Sequence, residues 1–170
     1  MDERVRMLSG VPGLWDLQPD ELLELSQLFE LKVYDNENLC KEGDPPDALW
    51  VLGVGCIEVI KQVPSKGPFL VAELQPTCLV GHSGVVSISK RTATLRAKGT
   101  VEVLEMQLQS ARVMLDTADF AVASPFRRAI IVAMCRQMGM ATATVGRLAR
   151  EAGIAEPADA EARLLRAEAG

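Results

Sequence analysis

The stretch that decides the fold spans residues 80–97 and reads VGHSGVVSISKRTATLRA. Its first part is rich in glycine and serine, so its backbone amides can face a ligand, and a cradle of amides favours an anion. Arg91 follows ten residues after Gly81 and opens a run of small and β-branched residues that is typical of a strand. Its guanidinium can bind a phosphate through two hydrogen bonds. The alternative is a plain surface loop followed by an exposed strand arginine.

The order of these residues resembles the phosphate-binding cassette of the cyclic nucleotide-binding domain family. That cassette reads Phe-Gly-Glu, a short helix and then Arg-(Thr/Ser)-Ala, and here Gly81 and the triplet Arg91-Thr92-Ala93 match it. Weaker family landmarks on both sides extend the resemblance over roughly residues 8–148. It implies a regulatory sensor whose ligand is cAMP or cGMP. The ligand-binding residues that it implies are Gly81, His82, Ser83, Gly84, Arg91, Thr92, Ala93, Thr142 and Thr144.

His82 is the main departure from the family pattern, because it stands where the family has a glutamate. In the family that carboxylate accepts a hydrogen bond from the ribose 2′-hydroxyl, and an imidazole is a poorer, protonation-dependent acceptor. Losing one charge-assisted hydrogen bond costs about 1.5 to 3 kcal/mol, so we expect the affinity for a cyclic nucleotide to be about tenfold to a hundredfold lower. The plain alternative for His82 is a loop residue bonded to backbone.

Alternating apolar residues predict six short strands separated by Gly, Pro and Asp turns, which is typical of an antiparallel barrel or sandwich. Pro19 and the acidic residues after it predict a helix before the strands. The family resemblance makes the fold class mainly β with flanking helices: an antiparallel β-roll, of jelly-roll or double-stranded β-helix type. We assign Gly43 and Gly55 to hairpin turns, and Trp50 to the core. The expected strands are 30–34, 38–42, 48–52, 56–60, 69–74 and 101–106.

Ser124 and Pro125 predict the start of a long C-terminal helix that ends near Glu151. Apolar residues recur along it at alternating spacings of three and four, which predicts a two-helix contact and a homodimer. The alternative is ordinary packing of the helix on its own barrel. Thr142 and Thr144 are placed near a purine, or else bond their own helix backbone. The predicted dimer seam comprises Ile131, Met134, Met138, Ala141, Val145 and Leu148.

The predicted domains are a β-roll with its N-terminal helical segment over 1–124, the long helix over 125–152, and an acidic tail over 153–170. A formal net charge of −5 argues against direct binding of nucleic acid. The four cysteines form no CxxC pair, which indicates free thiols in a reducing compartment, and we expect a cytoplasmic protein without a membrane span. A single histidine disfavours a metal centre, and no enzymatic motif is found.

Two functions remain open on these grounds. The first is a sensor that binds a cyclic nucleotide and passes the change through its C-terminal helix to an unidentified effector protein. The second is a degenerate dimeric adaptor, or protein-interaction module, that binds no nucleotide. Arg91-Thr92-Ala93 favours the sensor, whereas His82 favours the adaptor.

Overall fold

The computed structural model describes residues 2–87, 89–117 and 121–153. The chain divides into two compact units, Met1–Met134 and Cys135–Gly170, and each is described by itself. The predicted tail at 153–170 lies outside the described residues except for Gly153, and Ile88 of the cassette also lies outside them.

The first unit contains an antiparallel six-stranded sheet with flanking helices, which confirms the predicted fold class. The main strand order is β1-β6-β3-β4, while β2 pairs with β6 and β5 pairs with β3. The strands are β1 Glu30–Asp35, β2 Asn38–Cys40, β3 Ala48–Val63, β4 Gly67–Leu74, β5 Cys78–Val80 and β6 Thr94–Gln107. Strands β3 and β6 are the longest, with 16 and 14 residues. Each of them pairs with three other strands of the sheet.

Strand β3 joins two segments that the sequence predicted as separate strands. Its pairing with β6 shifts register between Leu52 and Val54 and again between Val54 and Cys56. Gly55 lies at this irregularity with a φ of +90°, and a Cβ there would lie 2.6 Å from the carbonyl oxygen of Thr100. The prediction that Gly55 reverses a hairpin is therefore wrong. This glycine forms a bulge that bends one continuous strand.

The described part of the chain contains five helices: α1 Glu3–Ser9, α2 Pro19–Ser26, α3 Ser83–Val86, α4 Leu108–Asp116 and α5 Ala123–Glu151. Helix α2 begins at Pro19 as predicted, and Gln18 and Glu21 form a capping box at its start. Helix α1 and strand β5 were not predicted, because seven and three residues carry too little periodicity. Helix α5 begins at Ala123, so Ser124 lies in its first turn rather than before it.

Two hydrophobic clusters lie on opposite sides of the sheet. One joins the helices to outward-facing strand residues such as Leu49 and Leu104. The other fills the inside of the roll and contains Trp50, which confirms its prediction as a core residue. The candidate site described below adjoins this inner cluster through Trp50, which Arg91 contacts.

Helix α5 is long and apolar enough to cross a membrane when length and composition alone are considered, with a mean hydropathy of 1.3. The sequence had led us to expect no such segment. Arg136 lies near the middle of the helix, and a central arginine costs about 2.5 to 3.5 kcal/mol in a spanning helix. The same composition suits a helix whose apolar face packs against protein.

Candidate ligand-binding site

Arg91 is anchored by the turn that connects β2 to β3. Its backbone N–H donates to the carbonyl of Asp44 at 2.8 Å, and its carbonyl accepts from the N–H of Gly43 at 2.9 Å. Gly43 has a φ of +89°, which only glycine adopts readily. The prediction that Gly43 lies in a hairpin turn is wrong, because β2 pairs with β6 rather than with β3, and the turn instead holds Arg91 in place.

The guanidinium of Arg91 points inward, and its side chain is 4% exposed. Nη1 donates to the carbonyl of Gly81 at 3.2 Å, and Nη2 donates to the carbonyl of Ala48 at 2.5 Å and to Asp47 Oδ1 at 3.1 Å. Among the described residues, none accepts a hydrogen bond from the buried Nε. The alternative of an exposed strand arginine is therefore wrong, and two of the five guanidinium N–H groups remain for another acceptor.

The indole ring of Trp50, called the platform below, packs against both Gly81 and Arg91 of the cassette. The guanidinium carbon of Arg91 lies 4.8 Å from the centre of the Trp50 ring, which is cation–π geometry. Gly81 has a φ of +75°, and a Cβ on it would lie 2.8 Å from Cζ3 of the indole. A residue with a side chain at position 81 would therefore displace the platform or the guanidinium.

Glu105 binds the N–H of this indole, whereas Arg91 lies over the face of the ring. Its buried carboxylate accepts hydrogen bonds from Trp50 Nε1 at 2.8 Å, from the Tyr34 hydroxyl at 2.9 Å and from Lys32 Nζ. Burial acts to raise the pKa of Glu105, but the bonds from Lys32, Trp50 and Tyr34 outweigh it and leave that pKa lowered. The carboxylate is therefore charged at neutral pH and accepts three hydrogen bonds, two of them at Oε2.

Helix α3 and the residues before it form the rest of the cassette. His82 is buried directly before the helix, which begins at Ser83. The N–H of Gly84 donates to the carbonyl of Gly81 at 3.2 Å, so this amide does not face a ligand as we had expected. A Cβ on Gly84 would lie 2.7 Å from Pro46. The carbonyl of Gly84 accepts a hydrogen bond from Arg112 Nη2 on α4 at 2.8 Å.

The other predicted site residues are less enclosed. Thr92 is exposed, and its carbonyl accepts from Lys61 Nζ at 2.7 Å. Ala93 is half-buried. In the second unit, Thr142 Oγ1 donates to the carbonyl of Met138 at 2.9 Å, which is the intrahelical alternative. Thr144 is half-buried within that same unit, so a contact of either threonine with a purine stays a prediction.

Sequence reasoning missed Asp47, Glu105 and the Gly43–Asp44 turn as parts of this site. The sequence offered one partial signal, because Glu105 is a charged residue between Leu104 and Met106, whereas its position opposite Trp50 is known only from the structure. Lys32 and Tyr34, two residues apart on β1, point the same way. A cleft of about 360 Å³ adjoins the end of the cassette at Thr94, and neither Gly81 nor Arg91 lines it. Its lining residues are Asn38, Lys41, Glu42, Ile60, Gln62, Pro68, Thr94 and Arg96.

Metal binding finds no support in the residues that the structure describes. In 2–87, 89–117 and 121–153, no three His, Cys, Asp or Glu side chains are grouped closely enough to hold an ion. The chemistry of the site is instead that of a buried guanidinium, a glycine at positive φ and a short helix, which together suit a small anion.

Comparison with known families identifies the family to which this fold belongs. The family model for the cyclic nucleotide-binding domain matches residues 30–118, which include every strand and the whole cassette. The chain belongs to the cyclic nucleotide-binding domain family. Members of this family are regulatory sensor domains. The suspected family resemblance is thereby confirmed.

Solved structures of the family share the fold at low sequence identity. A cyclic nucleotide-binding domain from Methylobacillus flagellatus is 16% identical, with a TM-score of 0.74 over 88% of this chain and 83% of that chain. CLP, a c-di-GMP responsive global regulator from Xanthomonas campestris, is 18% identical, with a TM-score of 0.68 over 78% and 65%. The regulatory domain of Toxoplasma gondii PKA, solved with cAMP, is 17% identical, with a TM-score of 0.60 over 66% and 44%. The chain thus spans less than half of that last structure.

Proposed function

We propose that this domain is a regulatory sensor that binds a cyclic nucleotide, cAMP or cGMP, with the phosphate on Arg91. The observation that carries the proposal is the buried guanidinium, which lies against Gly81 and still has an N–H group without an acceptor among the described residues. A buried polar group without a partner is costly, and an arriving phosphate oxygen relieves that cost. The cAMP-bound PKA regulatory domain of the same fold supports the choice of ligand class.

Charge supports the same proposal. The Arg91 guanidinium is taken out of water, yet among the described residues it forms an ion pair with Asp47 alone, whose side chain is 78% exposed. An exposed carboxylate neutralises a buried cation only weakly, because water screens it. A phosphate bound beside Gly81 would bring a negative charge closer to the guanidinium and inside the roll.

Ligand affinity is expected to be low. His82 is buried at the position where the family has its ribose-binding glutamate, and it offers no carboxylate to a 2′-hydroxyl. Asp47 adds to this effect, since it occupies Nη2 and repels an approaching anion. We propose that these two residues weaken or alter the ligand preference relative to that of the family.

Signalling is proposed to run through helix α5 to a partner subunit and then to an effector protein. Side chains of the predicted seam are exposed in each unit, including Ile131 in the first and Met138 and Val145 in the second. A second copy of the same helix is the proposed occupant, because the three-and-four spacing is self-complementary. We propose a reducing, cytoplasmic setting because the cysteines of the sequence form no CxxC pair and no dense disulfide framework.

A second candidate function is a dimeric adaptor that binds no nucleotide. It is favoured by one observation, namely that the carbonyls of Gly81 and Ala48 and the carboxylate of Asp47 already engage the guanidinium. An arginine satisfied in this way can serve as a structural tie between the cassette and the β2–β3 turn.

Isothermal calorimetry with cAMP and cGMP distinguishes the two functions. The sensor predicts binding that Arg91→Ala abolishes and that Arg96→Ala leaves unchanged. Arg96 is a matched control, because it is an arginine five residues further along the chain, on β6, that is exposed and paired with Glu58. Absence of heat for the wild-type protein with either nucleotide at millimolar concentration would leave only the adaptor.

A further inference from the structure

Trp50 connects two charged groups that do not touch each other. On one side its Nε1–H donates to Glu105 Oε2 at 2.8 Å, and on the other its ring faces the guanidinium of Arg91 at 4.8 Å. All three side chains are buried, and Trp50 is 1% exposed. The indole therefore has no freedom to move without disturbing one of these contacts.

The platform reaches the glycine of the cassette as well as the arginine. A Cβ atom on Gly81 would lie 2.8 Å from the benzo edge of the Trp50 indole. The same Cβ atom would lie 3.0 Å from Nη1 of Arg91. The position of the indole thus bears on both Gly81 and the guanidinium, which are joined by the hydrogen bond from Nη1 to the Gly81 carbonyl. The proposed phosphate binds beside this pair, on the N–H groups of Arg91 that have no acceptor among the described residues.

The hydrogen bond to Glu105 determines how the indole lies. A tryptophan side chain can rotate about its χ2 angle, and the bond from Nε1 to a charged carboxylate selects one orientation. The negative carboxylate also polarises the indole and strengthens its attraction for a cation on its face. Lys32 binds the other oxygen of the carboxylate, Oε1, and so holds Glu105 independently of the additional bond that Tyr34 donates to Oε2.

We propose that Glu105 is a positioning residue for the phosphate site, acting through Trp50 to hold the Arg91 guanidinium against Gly81. The inference rests on the proposed function for its effect on ligand affinity, but its geometric part stands without a ligand. Glu105 belongs to β6 and lies outside the cassette in sequence, fourteen residues after Arg91.

The first test is nuclear magnetic resonance of the ligand-free protein. The chain has two tryptophans, so Trp15→Phe assigns the indole N–H signal of Trp50. Glu105→Gln is expected to shift that signal upfield and also to move the Arg91 Nε–H signal, because the ring current at the guanidinium changes. Tyr34→Phe is the matched control, since it removes another hydrogen bond to the same Oε2 and leaves the Trp50 bond intact. It is expected to leave the Arg91 signal in place.

The second test is titration with cAMP, followed by the fluorescence of Trp50 in the Trp15→Phe background. Glu105→Gln is expected to weaken binding by about tenfold, the size of a desolvated cation–π contact. Tyr34→Phe is expected to bind as the wild type does. Glu105→Asp, which keeps the charge but shortens the side chain, is a second variant should Glu105→Gln not fold, and it is expected to give the same losses.

Three results would overturn the inference. One is an Arg91 signal that stays fixed while that of Trp50 moves. Another is Tyr34→Phe lowering the affinity as much as Glu105→Gln does at equal thermal stability. The third is wild-type affinity in both Glu105 variants. Should the wild-type protein bind neither cAMP nor cGMP, the proposed function fails, and the ligand-free spectra alone decide whether Glu105 positions Arg91.

Discussion

The Arg91 side chain is 4% exposed, whereas the Asp47 side chain that pairs with it at 3.1 Å is 78% exposed. A buried cation thus meets a carboxylate that lies mostly in water. Such a carboxylate contributes little to stability, but it occupies a donor that an anionic ligand would use. Asp47 therefore competes with the proposed phosphate.

We predict that Asp47→Asn tightens cAMP binding about threefold to tenfold, most strongly at low salt, because a repulsive charge is removed from beside the site. Calorimetry at two salt concentrations measures this effect. Asp44→Asn is the control from the same turn, since the Asp44 carboxylate accepts from the backbone of Lys41 rather than from Arg91. Weaker binding by Asp47→Asn would show that Asp47 orients the guanidinium instead of competing for it.

We predict that His82→Glu tightens cAMP binding about tenfold or more, because a carboxylate restores a charge-assisted hydrogen bond to the ribose. The comparison ligand is 2′-deoxy-cAMP, which lacks the hydroxyl and is expected to gain nothing from the substitution. Equal gains for the two ligands would show that position 82 does not contact the ribose.

The predicted dimer seam can be tested by introducing negative charges on the α5 residues that are expected to face the partner helix. Met138→Glu with Val145→Glu places two carboxylates in the seam and is expected to convert the dimer to a monomer in light scattering. Arg136→Glu with Ala143→Glu changes the charge by at least as much on the opposite side of the helix and is expected to leave a dimer. A monomeric wild-type protein would contradict the seam itself.

Tyr34 is the single tyrosine, so its ionisation can be followed by ultraviolet absorbance without interference from other phenols. Burial, followed by the hydrogen bond to Glu105, raises the pKa of Tyr34 to about 12. A raised pKa means that Tyr34 stabilises the folded state below its ordinary pKa of 10.0 and loses that contribution as the pH rises towards 12. We therefore expect the phenol to titrate near 12 in the folded protein and near 10.0 after denaturation. Titration near the lower value in the folded protein would contradict the contact with Glu105.

Gly43 and Gly55 form a matched pair for stability, because their φ angles are +89° and +90°. A Cβ on Gly43 meets nothing within 4 Å, whereas a Cβ on Gly55 would lie 2.6 Å from a backbone oxygen. We predict that Gly43→Ala lowers the free energy of unfolding by about 1 to 2 kcal/mol, the cost of a left-handed backbone. Gly55→Ala is expected to cost clearly more in urea denaturation, and equal costs would contradict the bulge.

The fold was largely predictable because its signals are local. Alternating apolar residues mark the strands, Pro19 marks the start of α2, and the glycines and Arg91 mark the cassette. The merging of two predicted strands into β3 was not predictable, since bulges at the glycines interrupt the period of two at that point.

The site was predictable only in part, because its decisive contacts join distant residues. Arg91 meets Asp47 across 44 positions, and Trp50 meets Glu105 across 55. No local pattern in the sequence encodes such a pairing. Thr142 shows the converse case, since the family resemblance placed it near a purine while its hydroxyl bonds its own helix.

The central claim, that Arg91 binds a phosphate, is tested most directly by a crystal structure of the protein grown with cAMP. We predict a phosphate oxygen within hydrogen-bond distance of the Arg91 guanidinium, with the nucleotide beside Gly81 and Asp47 displaced from Nη2. A nucleotide bound elsewhere, with the guanidinium still held by Asp47, Ala48 and Gly81, would contradict the claim.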